Sequence, residues 1–254
     1  MNIPQGKKIY FASDFHLGIP DKESSLLRER KICAWLDSIK NDAFCIFLMG
    51  DLFDLWFEYK NVVPKGYVRF LGKLAELVDS GIKIEVFTGN HDLWMRDYFT
   101  KELGIPLHFK ELLIEINQKK FFLAHGDGLG PGDRKYKFLK KLMSHRISKW
   151  AYRWLHPDWG LGLANYFSRR GAKHQGAHDG AFKGEDKEWL ILFAKEYAKA
   201  HPIDYFVFGH RHLALTLPIG ENSMYINLGD WLHYYSYGVF DGEKFSLNYF
   251  TPEV

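Results

Sequence analysis

Cysteine is scarce: Cys33 and Cys45 are the only two in 254 residues, and they lack Cys-x-x-Cys spacing. That excludes a disulfide scaffold and a thiolate zinc site, and two free core thiols suit a reducing cytoplasm. No apolar run approaches the roughly 18 residues that span a bilayer. The opening MNIPQGKKIYFASD has no apolar stretch of the secretory kind, so a protein that is soluble or peripheral to a membrane is expected. A formal net charge of only +3 argues against a molecule that is globally a polyanion binder or an acidic disordered chain. There is no internal repeat, low-complexity tract or Pro/Gly/Ser-rich linker. One domain over residues 1–254 is expected, and a chain 46% hydrophobic can bury a sizeable core.

What is present is a series of short β-branched and aromatic runs, each closed by a turn: Lys8 to Ala12, Phe44 to Met49, Ile82 to Thr88, Lys120 to Ala124, Ile203 to Phe208 and Met224 to Leu228. These read as buried strands. Between the early ones, Leu26, Leu27, Ile32, Leu36 and Ile39, then Val68, Leu71, Leu74, Leu77 and Val78, follow helical spacing, so the first half is β-α-β-α-β with parallel strands. Later runs look like hairpins, Leu112 to Ile116 with Phe121 to Ala124 across Asn117 to Lys120, and Leu213 to Ile219 with Met224 to Leu228 across Gly220 to Ser223. A mixed sheet or two facing sheets follows, in the α/β class.

Five of these strands end in Asp, Asn and His: Ser13-Asp14-Phe15-His16, Gly50-Asp51-Leu52-Phe53-Asp54, Gly89-Asn90-His91-Asp92, His125-Gly126-Asp127 and Gly209-His210-Arg211-His212. Each has an ordinary explanation alone: an Asx turn at Asp14 or Asn90, a helix cap at Asp51, a surface or packed histidine. Five convergent strand ends have none in common except a site. In open α/β sheets the crevice beyond the strands' carboxyl ends is where ligands bind. Carboxylates, imidazoles and one amide without thiolate suit Mn, Fe, Zn or mixed pairs. Two such ions roughly 3.5–4 Å apart hold a nucleophilic hydroxide and stabilise an in-line displacement at phosphorus.

The order Asp-x-His, Gly-Asp, Gly-Asn-His-Asp, His, Gly-His-x-His resembles the calcineurin-like metallophosphoesterase superfamily over most of the chain. The resemblance implies a four-layer α-β-β-α sandwich of two mixed sheets. It also implies two divalent ions, with Mn²⁺ expected: Asp14, His16 and His212 on one, Asn90, His125 and His210 on the other, and Asp51 bridging. His91 matches the family's catalytic histidine, with Asp92 either orienting its ring or capping a helix. Asp54, Asp127 and Asp230 are read as turn or cap residues rather than ligands, with an acceptor that orients a ligand from behind as the alternative at Asp54 and Asp127.

One segment breaks the composition. From 134 to 175 there are eleven Lys/Arg against one acid, Asp158, a local charge of +10 that leaves −7 for the rest. Phe138, Leu139, Leu142, Met143, Ile147, Trp150, Ala151, Trp154 and Leu155 keep i, i+3, i+4 spacing, while Lys140, Lys141, Arg146, Lys149 and Arg153 fall on other faces. One amphipathic helix is predicted. Its apolar stripe packs on the protein's own core, lies in a membrane interface or caps a lipid. Arg169, Arg170 and Lys173 are candidate phosphate contacts, set against a plain solvated face.

Leaving the sheet between the fourth and fifth clusters, this insertion emerges beside the metals as a lid. With Ser-Asp-Phe-His-Leu-Gly and Gly-Asp-Leu-Phe-Asp-Leu-Trp, the chain resembles the UDP-2,3-diacylglucosamine diphosphatases of lipid A biosynthesis, whose helical insertion binds acyl chains. That resemblance implies hydrolysis of a lipid-linked nucleotide to diacylglucosamine 1-phosphate and UMP, at the cytoplasmic surface of the inner membrane. No nucleic acid and no protein partner are expected. Many of that family carry Arg where this chain has His91, whereas the wider superfamily carries His there. A nuclease and a non-catalytic scaffold are the rival readings.

Overall fold

A computed structural model describes residues 1–130, 134–164 and 181–251, with the side chains of 134–136 left aside. Eleven strands fall into two sheets among these residues. The first runs β11(Phe245–Tyr249), β10(Ser236–Phe240), β1(Lys8–Ala12), β2(Ala43–Leu48), β3(Lys83–Phe87), β4(Leu107–His108). The second runs β5(Leu112–Ile116), β6(Lys119–Ala124), β7(Tyr205–Phe208), β9(Ser223–Leu228), β8(Ala214–Ile219). Strands β1 to β4 are parallel to one another, as are β6, β7 and β9, and antiparallel partners flank them.

Period-two alternation explains the layers. In β1, Ile9 and Phe11 join Phe47, Phe121, Leu123 and Ile226 between the sheets. Tyr10 and Ala12 point the other way, with Trp35, Leu36 and Leu74 of α1(Lys22–Ile39) and α2(Val68–Asp79). On the far face of the second sheet, Phe122, Phe206 and Phe208 meet Leu190, Ile191 and Ala194 of the last helix, Trp189–Ala200. The expected α-β-β-α sandwich is therefore present.

Some boundaries differ from the sequence reading. The β5–β6 hairpin turns on Asn117 and Gln118 alone, both at positive φ (46° and 65°), and β6 starts at Lys119. Positive φ at both central residues is the primed geometry that matches strand twist, so the turn needs two residues rather than four. The pair β10–β11, unread in the sequence, returns the chain beside β1. Its alternating polar residues, Ser246 and Asn248, hid an edge strand. After the short α3(Tyr98–Glu102) of the body, the predicted insertion helix is two, α4(Arg134–Ser144) and α5(Arg146–Tyr152), broken at His145. That residue is extended (φ −67°, ψ 140°), and its ring accepts from the Ile147 amide as a new N-cap. Residues 157–164 are again helical, and Trp189–Ala200 is α6.

Candidate metal centre

All five clusters meet at one edge of the sandwich, where parallel strands of both sheets end. Asp14, His16, Asp51, His210 and His212 have φ between 43° and 67°. For residues with a Cβ this is the sparsely populated left-handed region, costing of order 1–3 kcal/mol each. Five such residues at one spot turn their side chains inward immediately beyond the strands. The glycines before them allow close approach: a Cβ at Gly89 would strike the Asp51 carboxylate, and one at Gly209 would strike Ser13 and Asp14.

Three overlapping groups result, each with donor atoms within 4.8 Å of one another: Asp14, His16, His212; His16, Asp51, His91; and Asp51, His125, His210. Asp14 Oδ1 lies 3.4 Å from His212 Nε2 and 3.7 Å from His16 Nε2. The two imidazoles face each other at 3.1 Å. Asp51 Oδ2 lies 3.2 Å from His125 Nε2 and 3.9 Å from His16 Nε2, between the two ends. Asn90 Oδ1 is 3.3 Å from His125 Nε2. Asp51 Oδ1 meanwhile accepts from the His91 amide at 2.9 Å.

The electrostatics ask for cations. Burial alone would raise Asp14 and Asp51, yet the surrounding histidines hold both carboxyls below the ordinary value, Asp51 well below. Burial would lower His16 and His125, yet Asp14, Asp54 and Asp51 around the first, and Asp51 and Asp14 around the second, push both up to about 10. His210 is pushed down to about 4 by burial and the charge of His125. Protons on imidazoles thus balance a knot of buried carboxylates, a balance that two divalent ions can supply instead. Buried Asp14 Oδ1 and His16 Nδ1 have no hydrogen-bond partner among the described residues. Oxygen and imidazole donors with two unsatisfied atoms fit a pair of divalent ions.

Outer contacts orient the rings, and here the sequence reading needs correction. Asp54 is more than a turn residue: its Oδ1 lies 3.3 Å from His91 Nδ1 and 3.8 Å from His16 Nδ1. Its own carbonyl lies 3.0 Å from His91 Nδ1. Asp230 accepts amides of Leu232, His233 and Tyr234 as a turn residue would, but Oδ2 also meets His212 Nδ1 at 3.1 Å. His125 Nδ1 faces the Met49 carbonyl at 2.8 Å. In each case the Nδ1 partner turns Nε2 inward.

Asp92 neither orients the His91 ring nor caps a helix. It is buried, accepts from the amides of Gly89 (2.6 Å) and Leu52 (2.8 Å), and ties the β2 loop to the β3 loop. Burial and the charge of Asp51 push it up to about 7. Asp127 pairs with Lys140 of α4 at 2.6 Å. Arg211, between the two site histidines, is buried against Glu188 at 2.8 Å, a pair with no local signal in the sequence.

Among the described residues, the insertion leaves its apolar stripe off the core. Phe138 is 70% exposed, Trp150 61% and Trp154 76%, while the Trp94 indole donates to the Met143 carbonyl at 3.0 Å and anchors α4 to the body. Arg169, Arg170 and Lys173 lie outside the described residues.

Residues 7–214 match the calcineurin-like phosphoesterase family, and the chain belongs to it: it is a metallophosphoesterase, a hydrolase. Among curated relatives, a UDP-2,3-diacylglucosamine hydrolase of Porphyromonas gingivalis is 42% identical, over 94% of this chain and 96% of its own length. Proteins of the same name from Haemophilus ducreyi (24%, covering 87% and 91%) and Shewanella baltica (23%, covering 87% and 88%) are more distant.

Proposed function

We propose that this hydrolase cleaves the pyrophosphate of UDP-2,3-diacylglucosamine, releasing diacylglucosamine 1-phosphate and UMP, in a single domain over residues 1–254 whose insertion is 134–175. Asp14, His16 and His212 would hold one divalent ion and Asn90, His125 and His210 the other, with Asp51 shared, and Mn²⁺ is the ion of our reading. When bound, the metals supply charge at the phosphorus and an activated water. The residues do the rest. His91, half-buried and tied at Nδ1 to Asp54, has its proton affinity raised by Asp51 and Asp54 against the effect of burial. With Nδ1 facing the Asp54 carbonyl, Nε2 is the atom left to pass a proton to the phosphoryl oxygens or the leaving oxygen.

The observation that carries the substrate is the insertion: aromatic side chains left in solvent, interleaved with Lys and Arg, directly beside a phosphoesterase centre. Such a face suits an anionic membrane surface and the acyl chains of a lipid, on the cytoplasmic side of the inner membrane. The name shared by the 42% identical relative agrees with it. Arg169, Arg170 and Lys173 are kept as anion contacts of this insertion. The test incubates the protein with UDP-diacylglucosamine, an unacylated UDP-sugar and single-stranded DNA, with Mn²⁺ throughout. Preference for the acylated substrate is expected. Equal turnover of the unacylated sugar, or cleavage of DNA, would overturn the reading.

A further inference from the structure

Two cavities open along the insertion, the first of them onto the centre through His125, and their linings differ. One, of about 550 Å³, is walled by His125 and Asp127 on the site side and by α4 opposite. Lys137, Lys140, Lys141 and Ser144 line it at i, i+3, i+4 and i+7, so it is the polar stripe of α4 that faces the body. Lys140 is spent on Asp127, and Lys137 donates to the Gly130 carbonyl at 2.5 Å. Glu111 also lines the cleft, but four lysines outnumber it and Asp127, and Lys141 and Lys110 have no carboxylate partner among the described residues. The other cavity, of about 500 Å³, begins three residues beyond His91; Phe57, Trp94, Ile147 and Trp150 line it together with Arg96, Arg146, Lys149, Arg153 and Glu58, so it is cationic too but far richer in large apolar side chains. Phe109, in the loop joining the two sheets and 54% exposed, forms part of both walls.

A substrate with a pyrophosphate at its centre must leave the metals in two directions. Both cavities fall in the size range of small-ligand sites. We infer that the lysine cleft is the nucleotide subsite, taking a nucleoside 5′-phosphate with its phosphate toward Lys141 and its base on Phe109, while the aromatic cavity is left for the acylated sugar. This rests on the pyrophosphate reading above. A compact, strongly hydrated ammonium suits a phosphate oxygen, and an exposed phenyl ring offers a sequence-tolerant stacking face. The reverse placement would put acyl chains among the lysines of the first cleft and away from the indole and aliphatic side chains of the second.

The test titrates UMP, ribose 5-phosphate and inorganic phosphate into Mn²⁺-loaded protein by calorimetry. Wild-type protein binds UMP tightest of the three. Lys141→Glu weakens UMP by roughly tenfold or more, the worth of one charge-assisted contact, and Lys141→Arg recovers most of it. Phe109→Ala weakens UMP roughly five- to tenfold, to the level of ribose 5-phosphate. Lys195→Glu, on a groove remote from the centre, leaves UMP affinity as it was. The inference is overturned if UMP binds wild type no tighter than inorganic phosphate, or if Lys141→Glu weakens diacylglucosamine 1-phosphate and spares UMP. Should UMP binding depend on Lys141 while wild type leaves UDP-diacylglucosamine intact, the substrate reading fails and the subsite stands.

Discussion

The helices of the body and those of the insertion are amphipathic alike but face opposite ways. Along α1, α2 and α6 the apolar stripes are buried, through Trp35 and Leu36, Leu71 and Leu74, Leu190 and Ile191. Along α4 and α5 the corresponding stripe, Phe138, Leu142, Ile147 and Trp150, lies in solvent, and lysines turn inward. Burying apolar area is worth about 25 cal/mol per Å², so the body helices stabilise the fold. The exposed stripe of the insertion contributes no such energy. In the function proposed above a lipid or membrane covers it, which divides chemistry, in the body, from substrate choice, in the insertion.

That division can be broken at several points. The largest effect is expected for Asp51→Ala: turnover falls at least roughly 10³-fold on any phosphodiester, with both metals weakened, because the ions contribute several kcal/mol of transition-state stabilisation. Chelation mimics it and added Mn²⁺ reverses it, so metal-independent turnover would remove the body from the chemistry. His91→Ala costs roughly 10²–10⁴-fold in kcat with metal binding retained by calorimetry; near-normal turnover would leave the ring without a role. In the insertion, Trp150→Ser with Trp154→Ser lowers partition onto anionic vesicles by roughly tenfold, from the apolar area it removes. Because that surface is exposed, Tm stays put; a marked drop would mean that the insertion stabilises the fold after all.

The smallest effect separates the regions by pH. In metal-stripped protein His16 and His125 titrate near 10 rather than 6.5. Their stabilisation is full below about pH 6.5 and lost as pH rises toward 10, so Tm of the stripped protein falls across that window. Metal-loaded protein, whose ions replace those protons, shows a flatter profile over the same range.

The five strand ends were legible in the sequence because each is local: an apolar run, a glycine, then a donor. The parallel core strands and α1 and α2 were legible for the same reason. Asp54 and Asp230 were not, since their value lies in distances to His91 and His212, side chains brought beside them only by the turns that end the strands. Spacing showed that residues 138–155 carry an apolar stripe but not which way it faces. Nor did it reveal the break at His145, a matter of one backbone conformation. The Glu188–Arg211 pair spans 23 positions and carries no pattern at all.

The left-handed turns at the strand ends have a mechanical side. Asp14, His16 and Asp51 hang from one sheet, His210 and His212 from the other, so a metal pair held among them is a clasp across one rim of the sandwich. The opposite rim has the β5–β6 turn and the Met1 amino group on the Glu115 carbonyl instead. Stripping the ions should therefore unzip the molecule from the clasped rim, with amide exchange rising first at the strand ends and last in the aromatic interior around Phe11 and Phe121.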